Sequence, residues 1–164
     1  MSGSLGKTSL VPLDINKLKE AWLRRNGRKC VVLFRGHHTM RNGISLSDTI
    51  DVSNYPDMQE LLLLADGLIS DYSSCMWDFA LTKKPCFIYA PDFEDYLRNP
   101  GFESNYREWP FFVCKDNDTL IHKLMTYNVH EYEESVERYL FSYDSYEKGT
   151  ASQQVADWMK NIIA

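Results

Sequence analysis

Two patterns of apolar residues alternate along this chain, one recurring every three or four positions and the other running unbroken for four or five. Ile15, Leu18 and Trp22 share one helical face between Asp14, a favourable N-cap, and Gly27, placed to end the turn, which predicts a helix over 15–25. Cys30 to Phe34 carries no polar interruption, and such a run predicts a strand covered on both faces. A weaker strand over 49–52, a helix over 56–65 and a strand over 67–70 follow, the last leading into a helix that reaches about Leu81. Past the break at Lys84-Pro85 the pattern predicts a strand over 86–89, a short helix near 92–97 and a strand over 111–114. Helices over 117–127, 131–141 and 150–163 close the chain, the last with Ala151, Val155, Trp158 and Ile162 on one face. Strands that alternate with helices in this way pair in parallel, so the predicted fold is α/β, an open, doubly wound, mostly parallel sheet of five to six strands.

Composition narrows the picture. At 164 residues and 44% hydrophobic, the chain is sized for one domain with its own core, expected over 14–164, with 1–13 as a linker. No strand precedes the first helix, so the chain is expected to be a piece of a longer protein. A net charge of -5 argues against a nucleic-acid surface, which would need a strongly basic face. Cys30, Cys75, Cys86 and Cys114 stand singly in apolar runs without the spacing of a zinc site, so they read as reduced core residues of a cytoplasmic protein, with no metal or cofactor expected. No stretch approaches the roughly 18 to 20 apolar residues that cross a bilayer.

The candidate chemistry lies at 65–78, where an apolar strand runs into Asp71-Tyr72-Ser73-Ser74 and these hydroxyls open a helix. A helix start contributes only about 0.3 to 1 kcal/mol toward an anion, and Ser73 or Ser74 could equally serve as its cap. In an open parallel sheet all carboxyl ends face one edge, which brings Arg35 and His37, after the first strand, toward Ser73 and Ser74. Charge-assisted hydrogen bonds are worth about 1.5 to 3 kcal/mol each, so a guanidinium, an imidazole and two hydroxyls together suit a diphosphate. The alternatives are that Arg35 pairs with Asp71 and that His37 is a plain loop residue. Asp71 beside a phosphate would orient Arg35 or His37, accept a ribose hydroxyl, or be structural. Asp92, Asp95 and Tyr96 reach the same edge or belong to a solvated loop, whereas His38, His122 and His130 are expected to point elsewhere or into solvent. Gly6-Lys7-Thr8 lacks the strand and first glycine of a P-loop, and Cys75 has no neighbouring base to make it a nucleophile.

These residues resemble the CDP-glycerol glycerophosphotransferases that make the poly(glycerol phosphate) of teichoic acids. The likeness rests on Phe34-Arg35-Gly36-His37, on 65–74 with Asp78-Phe79, on Lys84-Pro85 with 87–92 and Tyr96, and on Asp144 with Gly149-Thr150-Ala151-Ser152. It implies a Rossmann-like sheet forming the carboxyl-terminal, donor-binding half of a GT-B glycosyltransferase-like fold. It implies a CDP-glycerol donor whose diphosphate meets Ser73, Ser74, Arg35 and His37, with Asp71 among the substrate-binding residues and His37 catalytic in stabilising the leaving CMP. It further implies a polymer or lipid-linked acceptor reached through an amino-terminal half, and work at the inner face of the cell membrane, with peripheral association. A nucleotide-sugar transferase or epimerase of the same architecture, or a non-catalytic scaffold domain, would share the fold.

Overall fold

The structure, a computed structural model, describes residues 13–36, 46–98, 106–143, 145 and 147–163. Its first helix, α1 (Ile15–Asn26), starts where expected because the Asp14 carboxylate accepts the Lys17 N–H, and it ends at Gly27, whose φ of 69° needs no Cβ to be accommodated. Short strands β1 (Leu33–Phe34) and β2 (Ile50–Asp51) pair in parallel, Leu33 opposite Ile50. After α2 (Met58–Leu64) come β3 (Leu68–Ser70), α3 (Cys75–Ala80), β4 (Cys86–Tyr89), α4 (Phe93–Leu97), a 3-10 turn over Tyr106–Glu108 and β5 (Phe112–Cys114). Helices α5 (Asn117–Thr126), α6 (Val129–Ser142) and α7 (Ala151–Ile163) complete the chain.

Strands β3, β4 and β5 form one parallel sheet in that order, with Ile69 opposite Phe87 and Phe87 opposite Phe112. The central strand β4 separates two cores. Cys86 and Ile88 face a cluster that includes Leu62, Met76, Phe79, Phe93 and Val136, carried by α2, α3, α4 and α6. Phe87 points the other way, into Leu18, Ala21, Leu120 and Leu124 of α1 and α5. Helices on both faces of a parallel sheet are the doubly wound arrangement expected from the alternation.

Arg25 fastens α1 to the second face. Its guanidinium donates to the carbonyls of Met125 (3.0 Å) and Tyr127 (2.8 Å) and lies 3.8 Å above the Tyr127 ring. The Asp14 N–H meets Asn117 Oδ1 at 2.8 Å and ties the starts of α1 and α5 together.

Two expectations need correction. The five predicted strands are all present and parallel, but among the described residues they divide into sheets of two and three strands rather than one sheet of five to six. The predicted strand over 30–34 is also not covered on both faces. Val31, Leu33 and Ile50 are 68%, 43% and 55% exposed, while Val32, Phe34 and Thr49 are half-buried. An apolar run records that a strand can be covered, not that a neighbour covers it. Likewise α7 keeps its apolar stripe but buries none of it. Among the described residues, no helix is long and apolar enough to cross a membrane.

Candidate functional site

Because β3, β4 and β5 run parallel, Ser70, Tyr89 and Cys114 end at one edge, and the segments leaving that edge carry Asp71, Ser73, Ser74 and Asp92, whereas Arg35 follows β1 in the other sheet. After β3, Asp71 folds back so that its Oδ1 accepts the Ser73 N–H at 3.1 Å. That local turn is what Asp71 does in this structure: the carboxylate holds its own backbone, and no Arg35–Asp71 ion pair is present among the described residues.

Ser74 is the residue before α3, yet its φ and ψ of -62° and -15° are already helical and its side chain makes no capping bond. An N-cap normally takes an extended conformation to aim its oxygen at the first turn, so the capping explanation for Ser74 fails. Ser73 and Ser74 are both exposed. The first turn closes through 3-10 contacts, Met76 N–H to Ser73 O at 3.3 Å and Trp77 N–H to Ser74 O at 3.0 Å. With six residues in α3, its dipole adds about 0.3 kcal/mol, the low end of what a helix start offers an anion, leaving the hydroxyls as the larger resource. Ser70 Oγ, at 3.8 Å from Cys75 Sγ, stitches the strand end to the helix start.

Arg35 leaves β1 and spends one guanidinium nitrogen on backbone, 2.6 Å from the Tyr55 carbonyl and 3.4 Å from that of Val52. Its side chain is exposed and the remaining N–H groups are not used in these bonds. The same loop is ordered by Ser53, whose hydroxyl accepts the Gly36 N–H at 3.0 Å while its own N–H donates to Asp51 Oδ1 at 2.8 Å. Hydrogen bonds from Ser53, side chain first and then backbone, hold the Asp51 carboxyl below the usual carboxylate range. Glu60 accepts the Tyr55 hydroxyl at 2.5 Å and thereby raises its pKa. His37 and His38 lie outside the described residues, as does Asp144.

Two connections at this edge carry no periodic signal in the sequence. The Tyr72 hydroxyl donates to Asp92 Oδ1 at 2.9 Å, joining the segments that follow β3 and β4. Lys115, just past β5, pairs with Glu94 of α4, and that bond lowers the Glu94 pKa. Of the other residues read at this edge, Asp95 of α4 pairs with Arg98, just past the helix, at 3.2 Å, and Asp78 is exposed one turn past Ser74. His130 meets Glu134 at 3.3 Å on the exposed side of α6. Among the described residues, no three His, Cys, Asp or Glu side chains are grouped to hold a metal ion.

The chain is a parallel α/β protein in which exposed Ser73 and Ser74 hydroxyls stand where β3 passes into α3, while the exposed Arg35 guanidinium follows β1 in the other sheet, against the Val52 and Tyr55 carbonyls. Comparison with known proteins makes this specific: residues 7–161 match the CDP-Glycerol:Poly(glycerophosphate) glycerophosphotransferase family, and the chain belongs to it. It is 29% identical over 99% of its length to a teichoic acid ribitol-phosphate primase of Bacillus spizizenii, covering 42% of that protein. It is 35% identical over 84% of its length to a teichoic acid poly(glycerol phosphate) polymerase of Staphylococcus epidermidis, covering 20% of it. A solved structure of the wall teichoic acid polymerase TagF, a variant soaked with CDPG, superimposes with a TM-score of 0.73 at 32% identity, over 93% of this chain and 39% of that one. The chain thus spans about two fifths or less of these relatives. The family resemblance read from the motifs is borne out.

Proposed function

We propose that this chain is the donor-binding part of a glycerophosphotransferase that takes glycerol phosphate from CDP-glycerol and passes it to a teichoic-acid-like polymer or lipid-linked primer. The carrying observation is the family match over residues 7–161, and the uncapped Ser74 at the carboxyl edge of the sheet supplies the chemistry it needs. In this reading residues 14–164 form one domain, the carboxyl-terminal half of a GT-B-like architecture, working at the inner face of the cell membrane by peripheral association. Ser73, Ser74 and the free N–H groups of Arg35 hold the diphosphate. Asp71 contributes by shaping the turn that presents Ser73, and His37 stabilises the leaving phosphate.

The reaction forms one bond and breaks one. An acceptor hydroxyl oxygen bonds to the β-phosphorus, the bond from that phosphorus to the bridging oxygen breaks, and CMP departs with the electron pair. The hydroxyl proton passes to a base supplied by the remainder of the polypeptide. No covalent intermediate on this chain is needed, since positioning and charge stabilisation account for the rate.

A second reading concerns the donor alone. The relative matched over 99% of this chain is a ribitol-phosphate primase, which favours testing CDP-ribitol beside CDP-glycerol. Calorimetric titration of the full-length protein with CDP-glycerol, CDP-ribitol, CDP and UDP-N-acetylglucosamine, repeated on Ser74→Ala and His37→Ala, tests the assignment. Saturable binding of cytidine ligands, weakened about tenfold in each variant, is expected from the loss of a charged hydrogen bond. Preference for the uridine ligand, or variants that bind as the parent does, overturns it.

A further inference from the structure

The phosphate edge depends on one segment, 71–74, for its hydroxyls, and that segment is fixed at both ends of its turn. Asp71 closes it internally through the Ser73 N–H. Tyr72, the residue between, points inward while its neighbours Asp71, Ser73 and Ser74 are exposed. Its ring lies parallel to that of Phe93, 6.4 Å between centroids and 14° apart, and Phe93 is 2% exposed, so the stack sits on the core. Its hydroxyl reaches past that stack to Asp92 Oδ1 at 2.9 Å, in a part-buried position. The Asp92 carbonyl in turn accepts the Asp95 N–H at 3.0 Å, and the turn around Asp92 is closed by the Phe93 N–H to Ala90 O at 3.2 Å. Stacking alone would be served by phenylalanine. The hydroxyl adds a directional bond to a carboxylate in the turn that follows the neighbouring strand, the kind of bond that fixes geometry as well as stability.

We propose that Tyr72 is a positioning residue for the donor, and that its hydrogen bond to Asp92 sets where the Ser73 and Ser74 hydroxyls stand. The proposal rests on the reading of those serines as diphosphate ligands. Neither Tyr72 nor Asp92 contacts the reacting atoms in it. Tyr72 acts through the backbone it shares with the serines, and Asp92 acts through Tyr72.

The test is steady-state kinetics of the full-length enzyme with CDP-glycerol as varied substrate, for Tyr72→Phe, Asp92→Ala, Asp92→Asn, the Tyr72→Phe/Asp92→Ala pair and Ser74→Ala. Tyr72→Phe keeps the stack and so keeps the fold, which thermal melting verifies. Expected is a rise of about tenfold in donor KM for Tyr72→Phe and for Asp92→Ala, with kcat within about twofold. Asp92→Asn, which still offers an acceptor oxygen, recovers most of that loss. The paired variant is no worse than either single one, because both remove the same bond. An unchanged KM in Tyr72→Phe, effects that add in the paired variant, or an Asp92→Asn as impaired as Asp92→Ala overturns the proposal. Ser74→Ala separates the two levels. If it raises KM while Tyr72→Phe does not, only the positioning role falls; if it leaves KM unchanged, the serine reading falls and the proposal with it.

Discussion

The Lys84 ammonium group sits at the carboxyl end of α2, 2.7 Å from the Ala65 carbonyl oxygen and 2.9 Å from that of Leu63. These are carbonyls a helix leaves unpaired at its end, and a cation there also meets the negative end of the helix dipole. The position is reinforced from the other side, where the Lys84 N–H donates to Thr82 Oγ1 at 3.2 Å. Lys84 therefore belongs to the framework that delivers the chain into β4, although it stands in one of the motifs that carry the family resemblance.

Lys84→Met, which keeps the length of the stem and removes the charge, is expected to cost about 1 to 2 kcal/mol of stability, the value of charged hydrogen bonds discounted for partial exposure. Urea unfolding followed by circular dichroism measures it. Donor affinity of the folded variant should remain within about twofold of the parent's. A tenfold loss of affinity without loss of stability would place Lys84 in the binding site instead.

Two helix starts offer a matched pair of substitutions. Asp14 accepts the Lys17 N–H at 3.0 Å, so Asp14→Ala should cost about 1 kcal/mol, the usual value of an N-cap. Ser74 makes no such bond, so Ser74→Ala should change stability by less than about 0.5 kcal/mol, as for an exposed side chain away from structural features. Equal losses for the two in chemical denaturation would return Ser74 to the role of a cap.

All five strands and the order of helices were legible because burial imposes a period on the residues that experience it. What escaped were choices made between backbone and side chain, or between residues far apart. Arg35 binding the Tyr55 carbonyl leaves no trace, since every residue carries that acceptor. The Tyr72–Asp92 bond spans twenty positions and follows no repeat. Whether Ser74 caps its helix turned on its backbone angles, and serine tolerates either outcome. The division into two sheets was hidden for a related reason: Cys30 to Phe34 has the composition of a covered strand, and cover depends on what lies against it.

Helix α7 tests how far the core extends. Its apolar stripe is open, with Val155, Trp158 and Ile162 56%, 64% and 62% exposed, and it buries no residue. A helix of 13 residues is marginal without packing, whatever its internal pairs such as Gln153 with Asp157. Removing residues 151–163 should therefore leave the unfolding free energy of this chain unchanged to within about 0.5 kcal/mol, with little shift of the denaturant midpoint. Hydrogen exchange should show fast amides in α7 and slow ones at Phe87 and Ile88. A clear drop in the midpoint would mean that α7 is integral to the core.

Alkaline pH should act through the buried thiols. Burial raises the Cys114 pKa from 9.0 to about 12 and pushes that of Cys86 up as well, and burial likewise raises the Tyr132 phenol, whose oxygen accepts the Cys86 N–H at 3.0 Å. In the unfolded chain these groups titrate at their ordinary values, near 9 for the thiols. Above that point the unfolded state loses protons that the folded state keeps, so stability is fully present below pH 9 and falls as pH rises toward 12. Denaturant midpoints taken from pH 8 to 11 should show this decline. Cys114→Ala should flatten it, since alanine removes the titrating group with a small change in volume. A variant that kept the full slope would remove Cys114 from the account and leave the decline to Cys86 and Tyr132. Thiol labelling checks the same burial independently: Cys30 and Cys75, both half-buried, should react in the folded chain, whereas Cys86 and Cys114 should react only at the rate of unfolding.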